Sequence, residues 1–191
     1  MHLRIIPCAI IALLLSSSVL AQYPSDQEAG KTEKQVAKKK ISLSKEAVFS
    51  DKEASTKKIA GITVVNKLWD TTRLGFLQVG MFNTKAEAVP DKDYNAWFQE
   101  FVNEAFANQF QANAPSLLWV IEDLRIGERT GGMSEKAFTR LKATAYLATG
   151  GNQYKLLAAS DEATQNGGMD VTHKHKNNIA KAFKQFYLLS L

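Results

Sequence analysis

Apolar and polar positions change period several times along the chain, and each change marks a different kind of element. Ile5 to Leu15 is a continuous apolar run behind a short polar start containing His2 and Arg4. Ser16, Ser17 and Ser18 follow, and then Val19-Leu20-Ala21. A basic start, an apolar stretch too short to cross a bilayer and a small-residue terminus predict a secretory signal peptide over residues 1–21, cut near Ala21-Gln22. An uncleaved membrane anchor is the alternative. Residues 22–60 carry little apolar pattern, except that Lys38-Lys39-Lys40 leads into the short alternation Ile41-Ser42-Leu43, which suits an edge strand.

From Gly61 onward the pattern is readable. Ile62-Thr63-Val64-Val65 and Arg73 to Phe82 are strand-like, and Gly75 and Gly80 in the second run suit a close backbone approach or a bulge. Asn83 to Pro90 reads as a loop. Tyr94, Trp97, Phe98, Phe101, Val102, Ala105, Phe106 and Phe110 recur in steps of three and four. They predict an amphipathic helix capped by Asp91 or Asp93 and running to about Asn113, with Pro115 beyond it. Its stripe serves either as core against its own sheet or as a binding face. Leu117 to Ile121 is the continuous apolar run of a central strand, and alternation carries on to Ile126. Gly127 to Ser134 reads as a loop.

Ala137, Thr139, Leu141, Ala143, Ala145 and Leu147 then alternate with Phe138, Arg140, Lys142, Thr144, Tyr146 and Ala148. Gly150-Gly151-Asn152 supplies a tight turn into a return strand from Tyr154 to Ala159, which predicts a β-hairpin. Asp161 to Gly168 reads as a second loop. Asp170 or Thr172 caps a last helix to about Ser190, with Ile179, Ala182, Phe183, Phe186, Leu189 and Ser190 facing inward. The predicted order is β-α-β-β-β-α. The fold class is α+β, a two-layer sandwich with two amphipathic helices on one face of a mostly antiparallel sheet. The domain plan is a signal peptide at 1–21, a lysine-rich flexible arm at 22–60 and a single α+β domain at 61–191.

Charge sharpens that plan. The formal net charge is +5. Residues 22–60 hold nine lysines against six acids, whereas 61–191 is close to neutral. The arm holds two aromatics, Tyr23 and Phe49, and reads as too polar to build a core. It acts as a solvated tether or, around Lys38–Lys40, as a peripheral contact with anionic surfaces. A nearly neutral domain whose aromatics sit at core spacing argues against nucleic-acid binding. Composition excludes wholesale disorder, a collagen-like repeat and a disulfide scaffold. The single cysteine, Cys8, lies within the export signal, so a cleaved protein starts at Gln22 without a thiol.

The order of elements, with the meander Phe138 to Leu157 (FTRLKATAYLATGGNQYKLL) before a terminal helix, resembles small bacterial envelope accessory and assembly lipoproteins. These are typified by the TolB amino-terminal domain, the curli-secretion lipoprotein and the transport auxiliary lipoproteins. The chain departs from them in having no cysteine after its cleavage site for lipid attachment. The resemblance implies an envelope-located binding or assembly role without catalysis, and it carries over no functional residues.

Few residues suggest chemistry. No GxxxxGK[ST], GxGxxG or GxSxG motif occurs. His173 and His175, two residues apart, diverge on a helix but share a face if extended, where Asp170 could join them as zinc ligands. The cationic run His173-Lys174-His175-Lys176 opposes such a site. Glu122 and Asp123 are adjacent, so on a strand they face opposite sides, one of them towards a core layer or cleft. Either carboxylate then acts as an acid or base, or both are spent in cross-strand pairs with Arg125, Arg140 or Lys142. No catalytic, cofactor or metal residue is assigned, and no cofactor is expected. The expected function is an exported, non-catalytic envelope protein that binds a partner protein, a lipid-like ligand or a glycan. The alternatives are a small secreted hydrolase using Glu122/Asp123 or a metal at Asp170/His173/His175, and a structural component that oligomerises.

Overall fold

A computed structural model describes residues 36–44, 46, 48–50, 57–131 and 134–191. The predicted signal peptide, its cleavage site and Cys8 lie outside the described residues, as do residues 22–35 of the arm. The described part is a mixed α/β structure of a seven-stranded sheet and two helices in roughly two layers. In chain order the elements are β1 (Ala37–Ile41), β2 (Gly61–Asn66), β3 (Gly75–Val79), β4 (Thr84–Pro90), α1 (Tyr94–Ala105), β5 (Ser116–Thr130), β6 (Glu135–Gly150), β7 (Gln153–Gly168) and α2 (His175–Leu189).

The long strand β5 organises the sheet. Along one side it pairs antiparallel with β6, which pairs antiparallel with β7 to form the predicted hairpin. Gly150, Gly151 and Asn152 all take positive φ at the turn, as a tight hairpin connection requires. Along its other side β5 meets β2 in parallel at Ser116–Ile121 and β3 in parallel at Ile126–Gly127. β3 continues antiparallel to β4, and β1 pairs in parallel with β4 at the sheet edge. Gly75 permits the β3–β5 contact. Its φ is +151°, and a Cβ there would lie 1.8 Å from the carbonyl oxygen of Ile126.

Both helices pack on one face of the sheet and touch each other. Asp93 caps α1 by accepting from the amides of Asn95 and Ala96. On α1, Gln99 accepts from the amide of Val64 and donates to the carbonyl of Ile62, both at 2.9 Å, so a helix side chain satisfies the outer edge of β2. Asn178 on α2 donates to the Ala137 carbonyl, and its own carbonyl accepts from Thr164, which fixes α2 across β6 and β7. Between the layers Trp119 of β5 is fully buried against Phe106, Phe183 and Phe186, at ring separations of 5.5, 5.9 and 5.0 Å. Phe183 also meets Phe101 of α1 at 5.2 Å. The apolar stripes of both helices are therefore core, except that Leu189, expected to face inward, is exposed at the end of α2 while Ser190 beside it is buried.

The observed order differs from β-α-β-β-β-α. After β1 it runs β-β-β-α-β-β-β-α, and three ladders are parallel, so the sheet is mixed rather than mostly antiparallel. Thr84–Pro90, expected as loop, is β4, because Ala86 and Ala88 turn inward while Lys85 stays exposed. Asp161–Gly168, also expected as loop, belongs to β7 and is held by β6 throughout. Gly127–Thr130 belongs to β5. α1 ends at Ala105, and a 3-10 turn at Ala107–Gln109 follows. The boundary expected at Gly61 falls too late. An edge strand does form here, but it is the Lys-rich run itself, β1, which ends at Ile41 and leaves Ser42 and Leu43 outside; Ile41, Phe49 and Ile59 of the supposed arm are buried in the core. Phe49 packs 5.3 Å from Tyr187, and Trp97 donates to the Ile41 carbonyl.

Candidate functional site

Two polar clusters emerge, and they differ in what surrounds them. The first lies on the face of the sheet away from the helices. A bulge between Ile121 and Asp123 breaks the alternation of β5. Glu122 and Asp123 consequently do not diverge as an unbroken strand would dictate; both find partners on this outer face. Glu122 accepts from Lys142 at 2.8 Å and from Thr144 at 3.0 Å. Asp123 lies 3.1 Å from Nε of Arg125 and 3.8 Å from the guanidinium of Arg140. Arg140 makes a two-pronged contact with Asp161 at 2.7 and 2.6 Å.

Arg125 also reaches the loop between β2 and β3. It donates to the Arg73 carbonyl at 2.8 Å, faces Asp70 and lies under the ring of Trp69. Cations and hydrogen bonds pull the carboxylates below their ordinary range. Lys142 and Thr144 do so for Glu122, Arg140 for Asp161, and the Thr72 hydroxyl and amide for Asp70. Glu122, Asp161 and Asp70 are thus stabilised as ions and are not poised as proton donors.

The second cluster sits under the start of α2. On β5, Leu124 and Ile126 point into the core, and Glu128 is the next inward position. Its side chain is 1% exposed and lies 3.0 Å from Nε2 of His175, itself 1% exposed and the first residue of α2. Glu128 also accepts from the Gln78 amide and the Thr172 hydroxyl. Burial pushes its carboxyl upward, but these donors outweigh burial and hold it below its ordinary value. Nδ1 of His175 is buried and has no hydrogen-bond partner among the described residues. The first turn of α2 has no side-chain cap and no acid of its own.

His175 forms part of the floor of a cleft of about 310 Å³, whose walls include Lys39 and Lys40 of β1, Ser42, Asp170, His173 and Lys176. A second hollow of about 510 Å³ adjoins it, sharing Lys39, Asp170 and Thr172 and reaching Gly80, Met81 and Asn83 of the β3–β4 turn. Cavities of this size accommodate a small ligand group. Three lysines against one aspartate give the first cleft a cationic wall.

Of the residues singled out from sequence, Asp170, His173 and His175 all border this cleft but are not assembled as ligands. Asp170 accepts from the Thr172 amide, His173 is exposed, and His175 turns inward to Glu128. Among the described residues no three His, Cys, Asp or Glu side chains converge to hold a metal ion. Sequence reasoning missed Glu128, because Gly127 opened a stretch read as loop. Continuing the inward positions Leu124 and Ile126 by one step would have found it. No protein-family model matches the chain, and no curated protein matches it.

Proposed function

We propose that this is an exported, non-catalytic envelope protein that binds a partner protein, a lipid-like ligand or a glycan in an accessory or assembly role. One observation carries the reading. The carboxylates best suited to acid–base work, Glu122 and Asp123, are spent on basic neighbours on a sheet face, while the cleft lies elsewhere and is walled by cations. A glycosidase instead brings two carboxyl groups to one cleft and keeps one protonated. Among the described residues no helix is long and apolar enough to cross a membrane. Crosslinking in the native envelope followed by affinity capture should return one reproducible partner or ligand. Reproducibly empty captures would refute the reading.

A second reading, a structural component that oligomerises, draws on β7. Among the described residues this 16-residue strand pairs with β6 alone, and Tyr154 and Leu156 are more than half exposed near its start. A long open edge of this kind is a template for another strand, here the β7 of a second copy. Light scattering should then show a dimer that Leu156→Lys dissociates. A constant monomer mass across concentration would remove this reading.

A further inference from the structure

We propose that the end of the sheet bearing the β3–β4 turn docks on an anionic lipid surface, with the lysine-walled cleft beside it receiving a lipid phosphate. This gives the binding role proposed above a ligand class and rests on that reading. Two independent features converge there. The turn places Met81 and Phe82 side by side at its tip, 92% and 90% exposed, and Met169, 91% exposed, borders the same hollow. Three large apolar side chains held almost wholly in water are costly to a free surface and gain by entering an acyl boundary. Immediately behind them, Lys39 lines both hollows, and Lys40 and Lys176 line the inner one. An apolar tip backed by lysines complements an anionic interface, where each lysine adds attraction.

The headgroup meets the inner cleft, where Lys39, Lys40 and Lys176 face the single acid Asp170; the outer hollow also carries Glu135 and is the less favourable seat for an anion. His175 is itself fully buried, so the lysines and not its ring supply the contacts to phosphate.

Co-sedimentation of the purified protein with vesicles tests this. One arm uses phosphatidylcholine alone, a second adds phosphatidic acid, and a third adds competing inorganic phosphate. Binding to the phosphatidic acid vesicles should exceed binding to neutral ones, and phosphate should lower it. Met81→Ser/Phe82→Ser, at fully exposed positions that leave the fold intact, should weaken binding about tenfold or more. Lys39→Ala/Lys40→Ala should weaken it about thirtyfold and erase the preference for the anionic vesicles. Lys176→Ala, at an exposed position lining the cleft, should weaken phosphate competition, whereas Lys155→Ala on β7 should leave it unchanged. Equal sedimentation with neutral and anionic vesicles, or binding of inorganic phosphate without any vesicle association, would overturn the proposal. If the protein ignores vesicles yet captures an envelope protein, the lipid inference alone fails. If both experiments are empty, the binding role fails with it.

Discussion

The two polar clusters use the same residue types to opposite ends. On the outer face, Asp70, Asp123, Asp161 and Glu122 alternate with Arg125, Arg140 and Lys142; Arg140, Lys142 and Asp161 are about half exposed, whereas Asp123 and Arg125 are largely covered. Beneath α2, Glu128 and His175 form a pair sealed from solvent. In the first cluster water screens the outer pairs and keeps them weak. In the second, desolvation makes the pair costly to break. Among the described residues each cluster leaves buried atoms without a hydrogen-bond partner, Asp123 Oδ1 and Arg125 Nη2 in one and His175 Nδ1 in the other, so an unsatisfied atom does not by itself locate a site.

Breaking the buried pair should have the largest effect. Glu128→Ala removes one partner and strands the other, so unfolding by denaturant should show a loss of about 3–5 kcal/mol. A loss below ~1 kcal/mol would place this pair in the same class as the surface ladder. The pH dependence sharpens the contrast. Against the upward push of burial, Glu128 titrates in the fold below the ordinary glutamate value, because His175, the Gln78 amide and Thr172 hold its ionised form. Its contribution is thus fully present above that value and disappears as pH falls through the lower, folded one. The thermal midpoint should drop on acidification below about pH 4.5, and Glu128→Gln should flatten that part of the curve.

Arg125→Ala should be intermediate, at about 2 kcal/mol, because Arg125 is partly buried and ties the β2–β3 loop to the sheet through the Arg73 carbonyl. Trp69 fluorescence should report release of that loop. Arg140→Ala and Asp161→Ala should each change stability least of all, with the small difference vanishing at high salt. A larger, salt-insensitive loss at Asp161 would show that the outer ladder is a cooperative network and would collapse the distinction.

The parts of this structure legible from sequence were those where local pattern and tertiary role agree. The β6–β7 hairpin showed through strict alternation and a Gly-Gly-Asn turn, and the helices through their aromatic stripes. β4 was hidden because Thr-Lys-Ala-Glu-Ala-Val-Pro alternates correctly with residues poor in strand propensity. The far half of β7, Asp-Glu-Ala-Thr-Gln-Asn-Gly-Gly, reads as loop and is strand because a 16-residue β6 lies beside it. Ile41, Phe49 and Ile59 are single apolar residues in a polar stretch, and no period announces that they enter the core.

The site was legible in halves. His175 stood out by its chemistry, but with His173 and Asp170 as companions. Its actual partner lies 47 residues earlier, in a different element. Sequence neighbours suggested a metal; the pairing of β5 with β6 and the docking of α2 supplied a carboxylate instead. The ion pairs of the outer face were foreseen more closely, since register across β5, β6 and β7 sets them directly.

The contrast between the two clusters is tested most directly by denaturant unfolding of Glu128→Ala and Asp161→Ala at low and at high salt. Glu128→Ala should lose several times more stability than Asp161→Ala, and added salt should leave its loss unchanged. Equal losses, or a Glu128→Ala loss that salt erases, would contradict the account.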